Sequence, residues 1–134
     1  MSIFASPRFL RNVMLADAAS CLATGALQLA FTGTLAELLH LPAPLLMESG
    51  IFLVAYAAVA AFVGLREPVP RGLVRLFAIG NFGWAIGCVL LLAMGGFAPT
   101  ALGTAWVLAQ LACVAVLGEL QWMGLRRAPV VGWA

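Results

Sequence analysis

The stretch "LMESGIFLVAYAAVAAFVGL" (residues 46–65), followed at once by "REPVPRG" (residues 66–72), decides the class of fold. Twenty residues at about 1.5 Å each span roughly the 30 Å of a bilayer's hydrocarbon core. One acid, Glu48, interrupts the run, and the two prolines and two arginines after it end a helix at a polar boundary. Three further apolar runs lie around it, at about 9–31, 72–94 and 101–124. They are set off by "TGTLAELLHLPAP" (32–44) and "GGFAPT" (95–100).

Composition agrees with this reading. Of 134 residues, 64% are hydrophobic and 9% charged, with mean hydropathy +1.09, where soluble domains carry about 25% charge. The expected fold is all-α: an integral membrane four-helix bundle, up-down-up-down, forming one transmembrane domain over 1–134. The length leaves no room for a separate soluble domain.

All seven basic residues are arginines, at Arg8 and Arg11, at Arg66, Arg71 and Arg75, and at Arg126 and Arg127. By the positive-inside rule, both termini and the middle loop are expected in the cytoplasm, and the other two loops outside. The net charge of +2 is thus an orientation signal and gives no argument for nucleic acid. Arginine without lysine, beside abundant Ala, Leu and Gly, suggests a bacterial inner membrane. Arg8 and Arg11 ahead of an apolar run, with "AASC" at 18–21, resemble a secretory leader. Asp17 interrupts that run and Ala18 stands where a larger aliphatic residue is usual, so cleavage is not expected.

"RNVMLAD" (11–17) has an echo in "RLFAIGN" (75–81), and Ala-Pro pairs at 43–44 and 98–99 precede both returning spans. The halves read as two similar hairpins; duplication and chance similarity between apolar hairpins explain this equally. Asp17 to Pro44 is 27 positions and Asn81 to Pro99 is 18, and the difference matches "TLAELLHLP" in the first outer loop. Thr34 and Glu37 have capping-box spacing there, so a short surface helix is expected over about 34–40.

Helical spacing turns positions into faces. In the first span Asp17 shares a face with Ser20, Cys21, Thr24 and Gln28, a polar stripe expected to point into the bundle. In the last, Glu119 lies in line with Ala115, Ala112, Ala105 and Ala101, and is expected to face inward. The opposite side carries Gly103, Gln110, Leu117 and Gln121, the candidate partner face. Gly50, Ala57, Ala61 and Gly64 of the second span, and Gly83 and Gly87 of the third, form small stripes that suit close packing.

At about 1.5 Å per residue, Asp17, Asn81 and Glu119 fall at similar depth from the Arg-rich side, with Arg11 and Arg75 nearer the surface and long enough to reach them. A polar cluster of these five is expected. Intramembrane ionisable groups are functional candidates by default. An ion-paired lock that fixes helix register is the favoured alternative here, because all five lie near one membrane edge.

Known chemistries find little support. Cys21, Cys88 and Cys113 sit singly on different spans and read as small buried residues. His40 is the sole histidine, so one chain cannot supply a bis-histidine haem; a metal site with Glu37 and Glu48 has no recognised spacing. No phosphate loop or nucleophile elbow is present. Neither a cofactor nor a metal is expected, and the chain does not read as an enzyme. Trp106, Trp122 and Trp133 suit interface belts or helix contacts; Trp84 lies deeper beside Asn81, where ligand stacking is the minor reading.

With "RFLRNVMLADA", "LPAPLL", "APTALG" and "GELQWMGLRR" in view, the whole chain resembles a group of small, uncharacterised four-helix bacterial inner-membrane proteins. The resemblance implies the fold and carries no activity. Two functions fit the residues. One is an accessory or structural subunit docking onto another membrane protein. The other is a homo-oligomeric transporter or channel using Asp17 or Glu119. Membrane lipid and another membrane protein, or a second copy, are the expected partners.

Overall fold

A computed structural model describes residues 8–127. It is all-helical, with α1 (Phe9–Ala30), α2 (Thr32–Leu39), α3 (Ala43–Gly64), α4 (Arg71–Met94) and α5 (Ala101–Arg127). All but α2 are long and apolar enough to cross a membrane, so the chain is a multi-pass membrane protein. The four long helices form two antiparallel hairpins, α1 with α3 and α4 with α5, joined mainly where α1 meets α5.

Small residues set the spacing of the first hairpin. A Cβ on Gly25 of α1 would lie 2.9 Å from the Gly50 carbonyl oxygen of α3, and one on Gly64 would lie 3.0 Å from Cβ of Met14. Backbones approach this closely because no side chain intervenes. The stripe on α3 therefore packs within the bundle. By contrast α3 and α4 stay apart and meet through aromatic side chains. Phe52 stacks on Trp84 at 5.7 Å between centroids, Tyr56 meets the Phe77 ring edge-on at 4.6 Å, and the Tyr56 hydroxyl donates to the Phe77 carbonyl at 3.3 Å.

The two ends of the bundle differ. At the basic end Leu10, Met14, Val63, Val74, Phe77 and Leu125 form a core, and the Arg71 guanidinium donates to the Leu125 carbonyl. That contact, with Arg126 and Arg127 in the last turn, suits the negative end of a helix dipole and lets α5 run to Arg127, three residues beyond the expected end.

At the other end α2 folds across the bundle. It begins at Thr32, earlier than expected, because Thr32 Oγ1 turns back to donate to the Gln28 carbonyl at 2.5 Å. The helix thus follows α1 after a break at Phe31 (φ −125°, ψ 34°). No side chain caps α2, so the Thr34/Glu37 box is unused. Similarly α3 starts at Ala43 rather than 46, with Pro44 in the first turn, where the missing N–H costs nothing. Three contacts clip the loops together. The Thr100 amide donates to the Leu39 carbonyl at 3.1 Å, Thr100 Oγ1 to the Leu38 carbonyl at 2.8 Å, and His40 Nδ1 lies 2.8 Å from the Ala98 carbonyl.

Candidate functional site

The inward face of α1 is built as its spacing requires. Leu10, Met14, Asp17, Ala18, Cys21, Gly25 and Gln28 are all buried, and Ser20 and Thr24 are half-buried. Asp17 is 0% exposed, so its carboxylate must find partners in the protein. Its Oδ2 accepts from Asn81 Nδ2 of α4 at 2.8 Å and from Gln121 Nε2 of α5 at 2.7 Å. Asn81 Nδ2 also donates to Gln121 Oε1 at 3.0 Å, while Cys21 Sγ donates to Asp17 Oδ1 at 3.4 Å. Asn81 is 2% and Gln121 0% exposed. Three helices from both hairpins are tied at one buried knot.

The rest of the expected cluster lies elsewhere. Arg11 is half-buried and stands 3.7 Å from the exposed Glu67, and Arg75 is exposed. Each arginine is six residues from its supposed partner, about 120° off that face at 100° per residue. Glu119 is exposed as well.

Glu119 and Gln121 explain one another. Two residues apart, they point about 200° from each other around α5, so one side only can face the bundle. The structure turns in Gly103, Val107, Val114, Leu117, Gly118 and Gln121. The face expected to meet a partner is thus the packed one, and the Glu119 side looks outward. Steric room decides the choice. A Cβ on Gly103 would lie 2.1 Å from the Leu39 carbonyl oxygen, and one on Gly124 2.5 Å from Cδ2 of Leu10.

Along the stripe, Gln28 Nε2 donates to the Leu46 carbonyl at 2.9 Å and Ser49 Oγ at 2.8 Å, locking α1 to α3. Between the hairpins, toward the α2 end, lies a cleft of about 350 Å³. Gln28, Ser49, Gly83, Gly87, Trp106 and Gln110 contribute to its wall. Next to it a cavity of about 170 Å³, lined by Ser20, Cys21 and Thr24, shares Trp84, Trp106 and Gln110 with the first. Trp84 Nε1 donates to Gln110 Oε1 at 3.2 Å. Gly83 and Gly87 do not pack against a helix: nothing lies within 4 Å of a Cβ at either.

No known family model matches the chain, and comparisons with curated proteins and with solved structures give no match.

Chemically, the knot can hold helices in register. Its acid is enclosed by two side-chain amides and the Cys21 thiol, and no second carboxylate is among its hydrogen-bond partners. Among the described residues no group of three His, Cys, Asp or Glu side chains could hold a metal. Cys21 and Cys88 are buried as expected, but Cys113 is exposed, and all three are free thiols. Trp122 is exposed on α5, and Trp133 lies outside the described residues. Sequence reasoning missed Gln121 as the partner of Asp17. The glycines at 103, 118 and 124, all within about 60° of Gln121 around the helix, carry the signal that finds it.

Proposed function

We propose that this chain is a non-enzymatic accessory subunit of a larger membrane assembly, docking through the outward face of α5. The observation that carries the reading is the place of Glu119. It lies two residues from Gln121, at the depth of the buried knot, yet is exposed, with no ion-pair partner among the described residues. An ionised carboxylate facing hydrocarbon is costly, by up to about 2.5–3.5 kcal/mol for an acid at the membrane centre and by less toward its edge, where Glu119 lies. A partner helix bearing a hydrogen-bond donor removes that cost. Ala105, Ala112 and Val116 are exposed on the same helix, and small side chains permit close approach. The arginine distribution supports an orientation with both termini and the 66–70 loop on the cytoplasmic side, and arginine without lysine supports a bacterial inner membrane as its setting.

The transporter reading has weaker support. Asp17 is fully enclosed, and both its oxygens accept hydrogen bonds from protein, which suits a fixed tie better than a carboxylate that loads and unloads a proton.

The test is native mass after gentle extraction of the protein from its own membrane, with co-migrating components identified. Stoichiometric migration with a larger membrane protein is expected, lost in Glu119→Leu and retained in Arg75→Gln. A chain that migrates alone or only with copies of itself overturns the proposal, as does a complex indifferent to Glu119→Leu.

A further inference from the structure

The cleft between the hairpins has features that the docking proposal does not use. Trp106 stands in its wall, and Nε1 of that indole is buried without a hydrogen-bond partner. A buried N–H left unpaired costs free energy comparable to a lost hydrogen bond. One turn further along α5, Gln110 spends its Oε1 on Trp84, which leaves its amide nitrogen to donate. Both residues stand in the wall of a cleft whose lining contains no charged residue, and the Trp106 N–H, closed off in the empty cleft, reaches a ligand there when the indole turns toward it.

We propose that this cleft binds a neutral, lipid-soluble molecule with a planar carbonyl-bearing ring, of the isoprenoid quinone class, its carbonyl accepting from Trp106 Nε1 and Gln110 Nε2. Volume, shape and depth each narrow the choice. About 350 Å³ falls at the lower end of small-molecule sites, roughly 300–1,000 Å³. Gly83 and Gly87, both exposed and with open space at the Cβ position, leave a flat stretch of α4 beside the Trp84 indole, a surface that suits a ring. The wider spacing of α3 and α4, on the α2 side of the Phe52–Trp84 stack, is the side from which the molecule enters and its apolar tail leaves toward the bilayer.

Depth separates this ligand from an ordinary phospholipid. At about 1.5 Å per residue, Trp106 and Gln110 lie roughly 8 and 14 Å along α5 from its start at Ala101. Phospholipid carbonyls sit in the interfacial layer outside the hydrocarbon core. Gln110, about 14 Å along a helix roughly 10 Å longer than that core, lies below this layer, so a molecule that offers it an acceptor carries its polar group deeper. The absence of charge in the lining disfavours fatty acid anions, which need a cation.

The experiment places the full chain in phosphatidylcholine nanodiscs, titrates decylubiquinone and reads indole emission. Saturable quenching is expected. Trp106→Phe keeps the ring and loses the donor, so it should raise the half-saturation concentration about threefold to tenfold, the worth of one neutral hydrogen bond. Gly87→Leu adds bulk where nothing stands within 4 Å and should remove the saturable component while leaving helicity and Tm unchanged. Should Gly87→Leu fail to fold, the Trp106→Phe shift decides alone. Decylbenzene, with ring and tail but no carbonyl, should not displace the quinone. Quenching that merely follows quinone content in the bilayer, or a Trp106→Phe curve identical to wild type, overturns the proposal. Displacement by decylbenzene at equal concentration also overturns it, and makes the cleft a groove for hydrocarbon chains.

Discussion

Asp17 accepts from two side-chain amides in a space closed to water and lipid, so its removal is expected to cost more than its own bonds. In Asp17→Ala, Asn81 and Gln121 keep each other but lose the acceptor they share, and an unsatisfied buried donor costs about 1–3 kcal/mol. A loss of about 3 kcal/mol in detergent unfolding is expected, whereas Asp17→Asn, which keeps one acceptor oxygen, should cost about 1 kcal/mol. Equal losses for the two variants would show that packing, and not hydrogen bonding, holds the site. Glycines test a different term. Gly103→Ala drives a methyl against the Leu39 backbone and should cost about 1–3 kcal/mol. Gly33→Ala meets nothing within 4 Å and should be neutral or stabilising by up to about 1 kcal/mol. That Asp17 turns inward was legible from its alignment with Cys21, Thr24 and Gln28. Asn81 was legible as its partner from their matching depth; Gln121 was not, because which α5 side chain meets Asp17 depends on the rotation of α5, which spacing within α1 cannot report.

Helix rotation is the element-scale property that sequence left open. The existence of the four spans, and their limits to within three residues, follow from apolar length and from the prolines and arginines near their ends. The face each presents does not follow from polarity alone when two faces both carry polar groups. On α5 a rule that charge turns inward favours Glu119. Close contact favours Gln121, since Gly103, Gly118 and Gly124 sit against Leu39, Phe82 and Leu10. Close contact wins because a side chain at any of these positions would have to displace the Leu39 backbone or the Phe82, Leu10 and Phe9 side chains, whereas one carboxylate can find a partner outside. Caps show the same limit in smaller form. The expected Thr34/Glu37 box is idle, while Thr100 Oγ1 accepts from the Gly103 amide at 3.0 Å and donates to the Leu38 carbonyl. Thr100→Val is therefore expected to destabilise by about 1–2 kcal/mol. Faster hydrogen exchange should be confined to the first turn of α5 and to α2; a uniform change along α5 would contradict the capping role.

At the scale of the whole molecule, the bundle is two tight hairpins held together by a narrower contact. Close packing at Gly25, Gly50 and Gly64 makes α1 and α3 one unit, and α4 and α5 pack as the second. The chain between them, residues 65–70, joins α3 to α4, the neighbouring pair whose backbones approach least. Helices that already span a bilayer associate through packing and interhelical hydrogen bonds, without needing a covalent link. Cutting the chain between Glu67 and Pro68 and co-expressing the pieces should thus leave a complex that co-purifies. The seam between pieces then depends on α1 against α5, on the Asp17, Asn81 and Gln121 knot, and on the contacts of Leu38, Leu39 and His40 with Ala98 and Thr100. Asp17→Ala should release the halves from each other in mild detergent, although the intact chain carrying the same change remains folded. Gly50→Leu, which disturbs α1 against α3 inside one piece, should instead unfold that piece. Halves that stay together despite Asp17→Ala would place the adhesion in the apolar contacts around Leu10, Met14 and Leu125 and in the clip between residues 38–40 and 98–100, and reduce the knot to a register pin.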